Sequence, residues 1–256
     1  MIVYRSKGLR IAELWFDEPD RDIAADVIRY RQALTAPTGA AWTPFFTLVL
    51  DLTKSDEDLF AGMTKETQYK IRRASQKDLV GCGSSDLPDA RVLARFRAIY
   101  DPFAREHELP LLDWDHVQRL AAAHQLEISL ASVEGVGDLV FHSYVKVRNR
   151  VRLLHSVSLS NGRDDESGYR NLRGRANRLL HWYDIQRFKA RALETYDLGG
   201  WYEGSVDSKK LQINTFKEAF GGHLEKDYNG ERLVTARARF ANVAARLLRP
   251  ARARLR

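Results

Sequence analysis

The sequence predicts an α+β fold with a central mixed, mostly antiparallel sheet flanked by helices. From residue 126 to residue 159 the hydrophobic pattern has a period of two and is interrupted by two short polar turns. This pattern predicts three consecutive antiparallel strands. A long helical pattern over residues 169–188 follows, and then a strand, a helix and a last strand. Hairpin-linked strands combined with crossover helices indicate one sheet with both strand directions.

The N-terminal half contributes strands and four helices. Strands are expected over residues 2–4, 10–16, 45–52 and 79–81. The third of these is too apolar for an edge position. Thr53 or Ser55 is the expected N-cap of a helix with an acidic first turn. Further helices are expected over residues 65–77, 89–107 and 113–124.

The C-terminal half contains the meander and the elements that complete the sheet. Strands are expected over residues 127–133, 139–147, 151–159, 193–198 and 223–228. Helices are expected over residues 169–188 and 209–220.

The composition favours a soluble, cytoplasmic protein. With 256 residues, 44% of them hydrophobic, the chain can bury a sizeable core. A single cysteine, Cys82, excludes a disulfide framework and a cysteine-cluster metal site. No apolar run reaches the ~18 residues of a membrane-spanning helix, and the N-terminus lacks a signal-peptide pattern. The seven histidines are scattered, so no metal site is expected.

The basic excess is concentrated at the C-terminus. The formal net charge is +7, and residues 232–256 hold eight arginines and no acidic residue, whereas the rest of the chain carries 33 basic and 34 acidic residues. An apolar stripe predicts an amphipathic helix up to about residue 248, before Pro250. Three alternatives stay open: a docked helix with a solvated basic face, phosphate contact with RNA, or peripheral contact with an anionic membrane.

Two short motifs carry most of the functional information. Residues 196–201 read Tyr-Asp-Leu-Gly-Gly-Trp, a strand and a glycine turn that lets the backbone turn tightly or approach a ligand. Residues 213–222 place Phe216 and Phe220 on one face of a predicted helix. Their packing holds Lys217 in a defined direction beside them.

These motifs resemble the acyltransferase fold of the GNAT superfamily, and more narrowly its Fem-type branch, which builds peptidoglycan cross-bridges from aminoacyl-tRNA. Residues 196–200 resemble the strand and turn after the family's long helix, and residues 216–221 its closing helix and turn. Residues 47–55 and 71–74 resemble the entry to its second domain. The resemblance implies three parts: a partial N-terminal GNAT-like remnant (1–52), a GNAT-like acyltransferase domain (53–230) and an Arg-rich C-terminal helix and tail (231–256).

The resemblance implies an acyltransferase of the EC 2.3 type that forms an amide bond. The donor would be aminoacyl-tRNA as co-substrate, with no permanently bound cofactor, and the acceptor an amine on a cell-wall precursor or small metabolite. An acyl-CoA-dependent N-acyltransferase is an alternative, although glycines are sparse in residues 171–176, the nearest pyrophosphate-loop pattern. A non-catalytic RNA- or membrane-binding module on a degenerate GNAT fold is the alternative from another class.

Amide formation needs a proton removed from the amine and an oxyanion stabilised. By resemblance to the family's Phe-Lys pair, Lys217 would neutralise charge at the scissile ester or hold the tRNA terminus; an exposed helix lysine is the other interpretation. Asp197 could orient or deprotonate the amine, or cap the following turn. His155 is a candidate base, or else a core histidine. The candidate substrate-binding residues are Phe216, Tyr196, Trp201, Tyr202 and Ser156; core packing is the other interpretation of Tyr196.

A group of basic residues is the candidate phosphate- or tRNA-binding surface. Its members are Arg170, Arg173, Arg175, Arg178, Lys209 and Lys210. The four arginines lie in the first turns of a predicted helix, where positive charge opposes the helix dipole, which favours a phosphate-bearing partner. A solvated face with Asp164, Asp165 and Glu166 as counter-charges is the alternative.

Overall fold

The computed structural model describes residues 1–20, 22–36, 39–160, 162 and 166–247. In chain order the elements are β1 (Ile2–Ser6), β2 (Leu9–Trp15), β3 (Val27–Ala33), β4 (Ala41–Asp51), α1 (Asp56–Ala61), α2 (Lys65–Gln76), β5 (Gly81–Ser85), α3 (Ala90–Glu106), α4 (Trp114–Ala122), β6 (Leu126–Val133), β7 (Gly137–Val147), β8 (Arg150–Ser158), α5 (Ser167–Ala190), β9 (Thr195–Gly200), α6 (Ser208–Glu218), β10 (His223–Leu233) and α7 (Ala236–Leu247). They form two compact units, one of Met1–Phe45 with Lys226–Arg256 and the other of Phe46–Glu225.

The larger unit contains a mixed sheet in the order β4-β9-β8-β7-β6-β5. The pairs β4/β9, β8/β7, β7/β6 and β6/β5 are antiparallel, and β8/β9 is parallel. The predicted mixed, mostly antiparallel sheet is therefore confirmed for this unit. The predicted α+β order of meander, long helix, strand, helix and strand is also present.

Helices cover this sheet on both faces. α5 packs against β6, β7 and β8 and also contacts α2, whereas α3 contacts β8 and α4 contacts β6. Successive residues of a strand point to opposite faces, and β8 shows which helix lies on which side. His155 packs against Phe96 and Tyr100 of α3, while its neighbour Ser156 faces α5 across a cavity. The main core lies on the α5 face and includes Tyr144, Phe188, Tyr196 and Phe220.

The smaller unit contains the strand order β1-β2-β3-β10, in which β2/β3 is parallel and the other pairs are antiparallel. Strand β3 was not predicted from the sequence. Its Arg29 and Arg31 make it look like a solvated segment, but they pair with Glu231 and Glu13 on neighbouring strands. Cross-strand ion pairs allow a charged segment to form an interior strand.

Two further elements differ from the sequence prediction. The strand expected over residues 79–81 lies at Gly81–Ser85 instead, because pairing with β6 overrides the low strand propensity of its glycines and serines. Leu79 has a φ of +51° and is not extended. Among the α7 side chains that the structure describes, Ala238 is buried, whereas Phe240 is 76% and Val243 55% exposed. These two residues of the predicted apolar stripe thus point outward, and residues 248–256 of the tail lie outside the described residues.

Candidate active site

Two parallel strands of the larger unit separate and leave a cleft. The β8/β9 ladder consists of the pairs Arg150↔Thr195, Val151↔Tyr196 and Arg152↔Asp197. Beyond this point β8 continues beside β7, and β9 continues beside β4. The gap opens where β9 runs through the predicted strand and glycine turn. Gly199 has a φ of +80°, and a Cβ here would lie 3.1 Å from the carbonyl oxygen of Leu153, so glycine allows the close approach.

A β-bulge in β8 aims two side chains into this gap. Ser143 of β7 pairs with His155 and Tyr144 with Leu153, which leaves one extra residue on β8. Bulges commonly redirect side chains next to functional sites. As a result Leu153 and Ser156, three residues apart, both line the same cavity.

The cavity has a volume of about 450 Å³ and is bounded by β8, β9, α5 and α6. Its lining residues are Leu153, Ser156, Asn177, His181, Leu198, Lys209, Gln212, Ile213, Phe216 and Lys217. Apolar side chains combined with convergent polar groups are the usual composition of a small-molecule site. Four residues selected from the sequence meet here: Lys217, Phe216, Ser156 and Lys209.

Lys217 is buried at the edge of the cavity and is only 8% exposed. It lies in the last turn of α6, and its Nζ donates hydrogen bonds to the carbonyl oxygens of Gly199, at 3.0 Å, and Gly200. Burial lowers the pKa of Lys217 from 10.5 to about 8, against the opposing effect of the Asp197 charge. The ring centroids of Phe216 and Phe220 are 5.3 Å apart, so the predicted packing of this pair beside the lysine is confirmed.

Asp197 is completely buried and does not line the cavity. Its carboxylate contacts Arg150 Nη2 at 2.6 Å, accepts the Gly199 N–H at 2.7 Å and accepts the Thr47 hydroxyl. Burial alone would raise the pKa of Asp197, but Arg150 and Arg152 outweigh burial and hold it below its usual range. The geometry supports the turn-capping interpretation of Asp197, and the base role remains a sequence prediction.

His155 and Tyr196 both lie in the core, as the alternative interpretation of each residue predicts. His155 lies on the α3 face of the sheet, where Nδ1 is 2.7 Å from the Ser143 hydroxyl. Burial, with Arg152 and His116, lowers the pKa of His155 to about 4. The ring of Tyr196 is fully buried and presents no face for stacking on a nucleotide. Strand alternation explains both placements, since the sequence does not reveal which face of β8 or β9 meets the cavity.

The cavity contains a histidine that sequence reasoning missed. His181 of α5 is 1% exposed, and its Nδ1 lies 2.7 Å from the Tyr196 hydroxyl. Burial, then His142, Arg178 and Lys217, lower its pKa well below the usual range. A sequence signal was available: Asn177, His181 and Asp184 recur at i, i+4 and i+7 on the buried face of a long helix. Polar residues at core spacing indicate a buried polar network.

Two predicted aromatic residues lie beside a smaller adjoining cavity. Trp201, Tyr202 and Lys210 line a space of about 270 Å³, and Ile213 borders both cavities. Tyr202 and Lys210 are partly exposed, with the Lys210 Nζ 5.1 Å from the Tyr202 ring centroid. An aromatic face next to a cation is suited to stacking a base and contacting its phosphate.

The four predicted arginines of α5 do not form one uniform surface. Arg170 is exposed at the first turn, and Arg173 is partly buried. Arg175 pairs with Asp78; of the predicted counter-charges, Asp164 and Asp165 lie outside the described residues. Arg178 lies 4.9 Å above the Phe216 ring and donates to the Gly174 carbonyl oxygen. Helical geometry spreads residues at these spacings around the axis.

The segment that most resembles a pyrophosphate loop is helical. Residues 171–176 lie inside α5, which begins at Ser167. Their N–H groups take part in the regular helix, because only the first turn of a helix has unbonded N–H groups. This segment cannot wrap around a pyrophosphate as a glycine loop does.

Few groups suited to metal binding or to thiol catalysis lie in the described part of the chain. Across the described ranges, no cluster of three or more His, Cys, Asp or Glu side chains has metal-binding geometry. Cys82 lies in β5, not in a loop, and burial raises the pKa of its thiol to about 12. A thiol with such a pKa is a poor nucleophile. Among the helices described, none combines the length and hydropathy needed to cross a bilayer.

The sheet with its separated parallel strands, the bulge and the closing Phe-Lys helix belong to a fold that this chain shares with FemX and two further solved structures. The crystal structure of FemX superposes with a TM-score of 0.58 at 11% identity, covering 77% of this chain and 63% of FemX. The C-terminal domain of a putative lysylphosphatidylglycerol synthetase from Agrobacterium fabrum gives a TM-score of 0.54 at 13% identity, covering 86% of this chain and 72% of that one.

A third similar structure is L-PGS from Bacillus licheniformis, with a TM-score of 0.50 at 12% identity, covering 87% of this chain and 73% of that one. No protein-family model matches the sequence, and no curated protein matches it significantly. Identities this low show that the fold is shared, and the chemistry has to be argued from the site itself.

Proposed function

We propose that this protein is an acyltransferase that moves an aminoacyl group from aminoacyl-tRNA to an amine and forms an amide bond. The observation that carries the proposal is Lys217, which lines a cavity between separated parallel strands and whose buried ammonium group donates to two backbone carbonyl groups. A cation held by two carbonyl groups in a poorly hydrated site is suited to stabilising the oxyanion of acyl transfer. The donor ester is already activated, so positioning supplies much of the remaining rate.

The choice of donor rests on the surroundings of the cavity. The helical conformation of residues 171–176 argues against coenzyme A bound through a pyrophosphate loop at that segment. Tyr202, Lys209 and Lys210 offer an aromatic face and two ammonium groups, which suit the terminal adenosine of a tRNA. The resemblance of residues 196–200 and 216–221 to Fem-type enzymes supports the same donor. The amine acceptor would be a cell-wall precursor or a small metabolite.

The test compares two donors. The full chain is incubated with total tRNA charged with labelled amino acids, or with acetyl-coenzyme A, together with a mixed pool of amines. We expect ribonuclease-sensitive loss of the aminoacyl ester and formation of labelled amide. Turnover with acetyl-coenzyme A alone would replace the proposed donor. No turnover with either would favour a non-catalytic module.

A matched pair of lysine variants tests the role of the site. Lys217→Met should lower kcat by ~100-fold or more, as does the loss of one oxyanion-stabilising group in other enzymes. Lys189→Met is the control, because Lys189 lies at the end of α5 and is 3.9 Å from Asp56. Equal activity of the two variants would exclude Lys217 from the chemistry.

We also propose peripheral contact of α7 with an anionic membrane. Phe240 and Val243 are exposed on a helix that carries Arg237 and Arg239, and an apolar face flanked by arginines binds anionic lipid surfaces. Co-sedimentation with phosphatidylglycerol vesicles should exceed that with phosphatidylcholine vesicles. The Phe240→Ser variant should reduce it, and equal sedimentation with both vesicle types would contradict the contact.

A further inference from the structure

A buried chain of hydrogen bonds leads from the cavity into the core. His181 Nδ1 lies 2.7 Å from the Tyr196 hydroxyl, which lies 2.8 Å from the Tyr144 hydroxyl. The Tyr144 hydroxyl donates to Asp184 Oδ2 at 2.8 Å. All four side chains are at most 1% exposed. The chain therefore links one wall of the cavity to a carboxylate without contact with bulk water.

Asp184 sets the direction of every hydrogen bond in this chain. Its carboxylate, which Arg187 and Ser129 also contact, accepts hydrogen bonds and donates none. Each tyrosine hydroxyl has one proton, and burial raises the pKa of both Tyr144 and Tyr196 well above the usual range. Tyr144 donates to Asp184 Oδ2, and His142 Nδ1 lies 3.0 Å from the Tyr144 hydroxyl and 3.2 Å from Asp184 Oδ2. In this arrangement Tyr196 donates to Tyr144, and the Nδ1–H group of His181 donates to Tyr196.

This direction leaves His181 with a lone pair on Nε2. A neutral imidazole protonated on Nδ1 is a hydrogen-bond acceptor at Nε2. Nε2 is buried and has no hydrogen-bond partner among the residues that the structure describes, although His181 lines the cavity. A buried polar atom without a partner costs stability. An apolar residue at position 181 would be sufficient to pack against the neighbouring Phe216 and Phe220 rings. An unpartnered acceptor on a residue that lines a cavity indicates a ligand that donates to it.

Burial and the neighbouring basic groups oppose the protonation of His181. His142 on β7, Lys217 on α6 and Arg178 on α5 each lower its pKa, in addition to burial, and Tyr196 on β9 holds Nδ1. The imidazole is therefore neutral near pH 7.

We propose that His181 Nε2 accepts the proton of the attacking amine and returns it to the leaving group, a role that rests on the proposed acyl transfer. The amine nitrogen attacks the ester carbonyl carbon while its N–H proton moves to Nε2. Collapse of the tetrahedral intermediate breaks the bond from carbon to the leaving oxygen, and Nε2 returns the proton to that oxygen. The products are the amide and the free hydroxyl. Asp184, through Tyr144 and Tyr196, stabilises the transient imidazolium.

The tautomer of His181 can be measured without any substrate. Two-bond ¹H–¹⁵N correlation spectra of the full chain with ¹⁵N-histidine should show His181 protonated on Nδ1 and unprotonated on Nε2 from about pH 5.5 to 8.5. Tyr196→Phe removes the acceptor and should shift His181 towards the other tautomer. Tyr100→Phe, which removes a hydroxyl bonded to the Pro110 carbonyl oxygen, is the matched control. A proton on Nε2 of the unmodified protein would overturn the proposal.

The kinetic arm uses whichever donor, charged tRNA or acetyl-coenzyme A, turns over. His181→Gln should lower kcat by ~100-fold or more, in the range of general-base catalysis, with KM changed less than about threefold. Tyr196→Phe should lower kcat by about tenfold and leave the fold intact by circular dichroism. A fully active His181→Gln variant would refute the role. If neither donor turns over, the proposed function fails, and the tautomer measurement alone decides the assignment of the lone pair.

Discussion

The burial of Lys217 makes a quantitative prediction about stability and pH. The perturbation is Lys217→Met, which keeps an unbranched side chain, one atom shorter, and removes its charge. In the unfolded chain the lysine has its ordinary pKa of 10.5, and in the folded protein burial lowers that pKa to about 8. Between these values the unfolded state binds more protons than the folded state. The free energy of unfolding therefore rises with pH over this window.

The magnitude follows from the size of the pKa shift. Each pKa unit corresponds to ~1.36 kcal/mol, so the charged lysine destabilises the fold by about 3 kcal/mol at pH 7. Between about pH 7 and 9.5, about 2 kcal/mol of this cost should disappear as the folded-state lysine loses its proton. The methionine variant has no such group. The unfolding free energy of the unmodified protein minus that of the variant should therefore increase by about 2 kcal/mol between these two pH values.

Urea denaturation at the two pH values measures this difference, because subtraction cancels groups that titrate in both proteins. Ile213→Met, a neutral change in the same cavity wall, is the control and should give a pH-independent difference. A difference for Lys217→Met that stays constant within about 0.5 kcal/mol would refute the claim that a desolvated cation occupies this position. A difference of the opposite sign would mean that the lysine is stabilised by an anion.

Three further results are expected. Asp197→Asn weakens the 2.6 Å contact with Arg150 and should lower the free energy of unfolding by ~3 kcal/mol in urea; a loss below ~1 kcal/mol would contradict the buried ion pair. Gly222→Ala should lower the free energy of unfolding by more than ~2 kcal/mol. The reason is that φ is +92° and a Cβ would lie 2.3 Å from a β4 carbonyl oxygen. Gly174→Ala in α5 should instead raise the free energy of unfolding by ~0.5–1 kcal/mol in the same assay. His155→Gln should lower kcat less than about tenfold, and a larger loss would return the base role to His155.

Hydrophobic periodicity and short motifs were sufficient to predict the secondary structure that forms the site. The meander, the long helix and the order of strand, helix and strand after it were readable because each has a strong local period. Lys217 could be selected because the Phe216–Phe220 pair constrains the direction of its side chain through local helix geometry. These are properties of neighbouring residues, so the sequence contains them.

Strand β3 and the choice of face on β8 depend on partners that are distant in sequence. Arg29 and Arg31 become strand residues because Glu231 and Glu13 neutralise them. His155 and Ser156 were equally plausible as cavity residues, and pairing with β7, including the bulge, decided that Ser156 faces the cavity.

The sequence by itself determined the class of fold, the closing helix and the lysine that the helix presents, because local periodicity and helix geometry encode them. Only the tertiary structure decided which polar groups share the cavity. His181, Tyr196, Tyr144 and Asp184 are up to 52 residues apart along the chain and meet through side-chain hydrogen bonds between β7, β9 and α5. The direction of that chain, and with it the lone pair on His181, is set by a carboxylate whose position depends on packing across the whole larger unit.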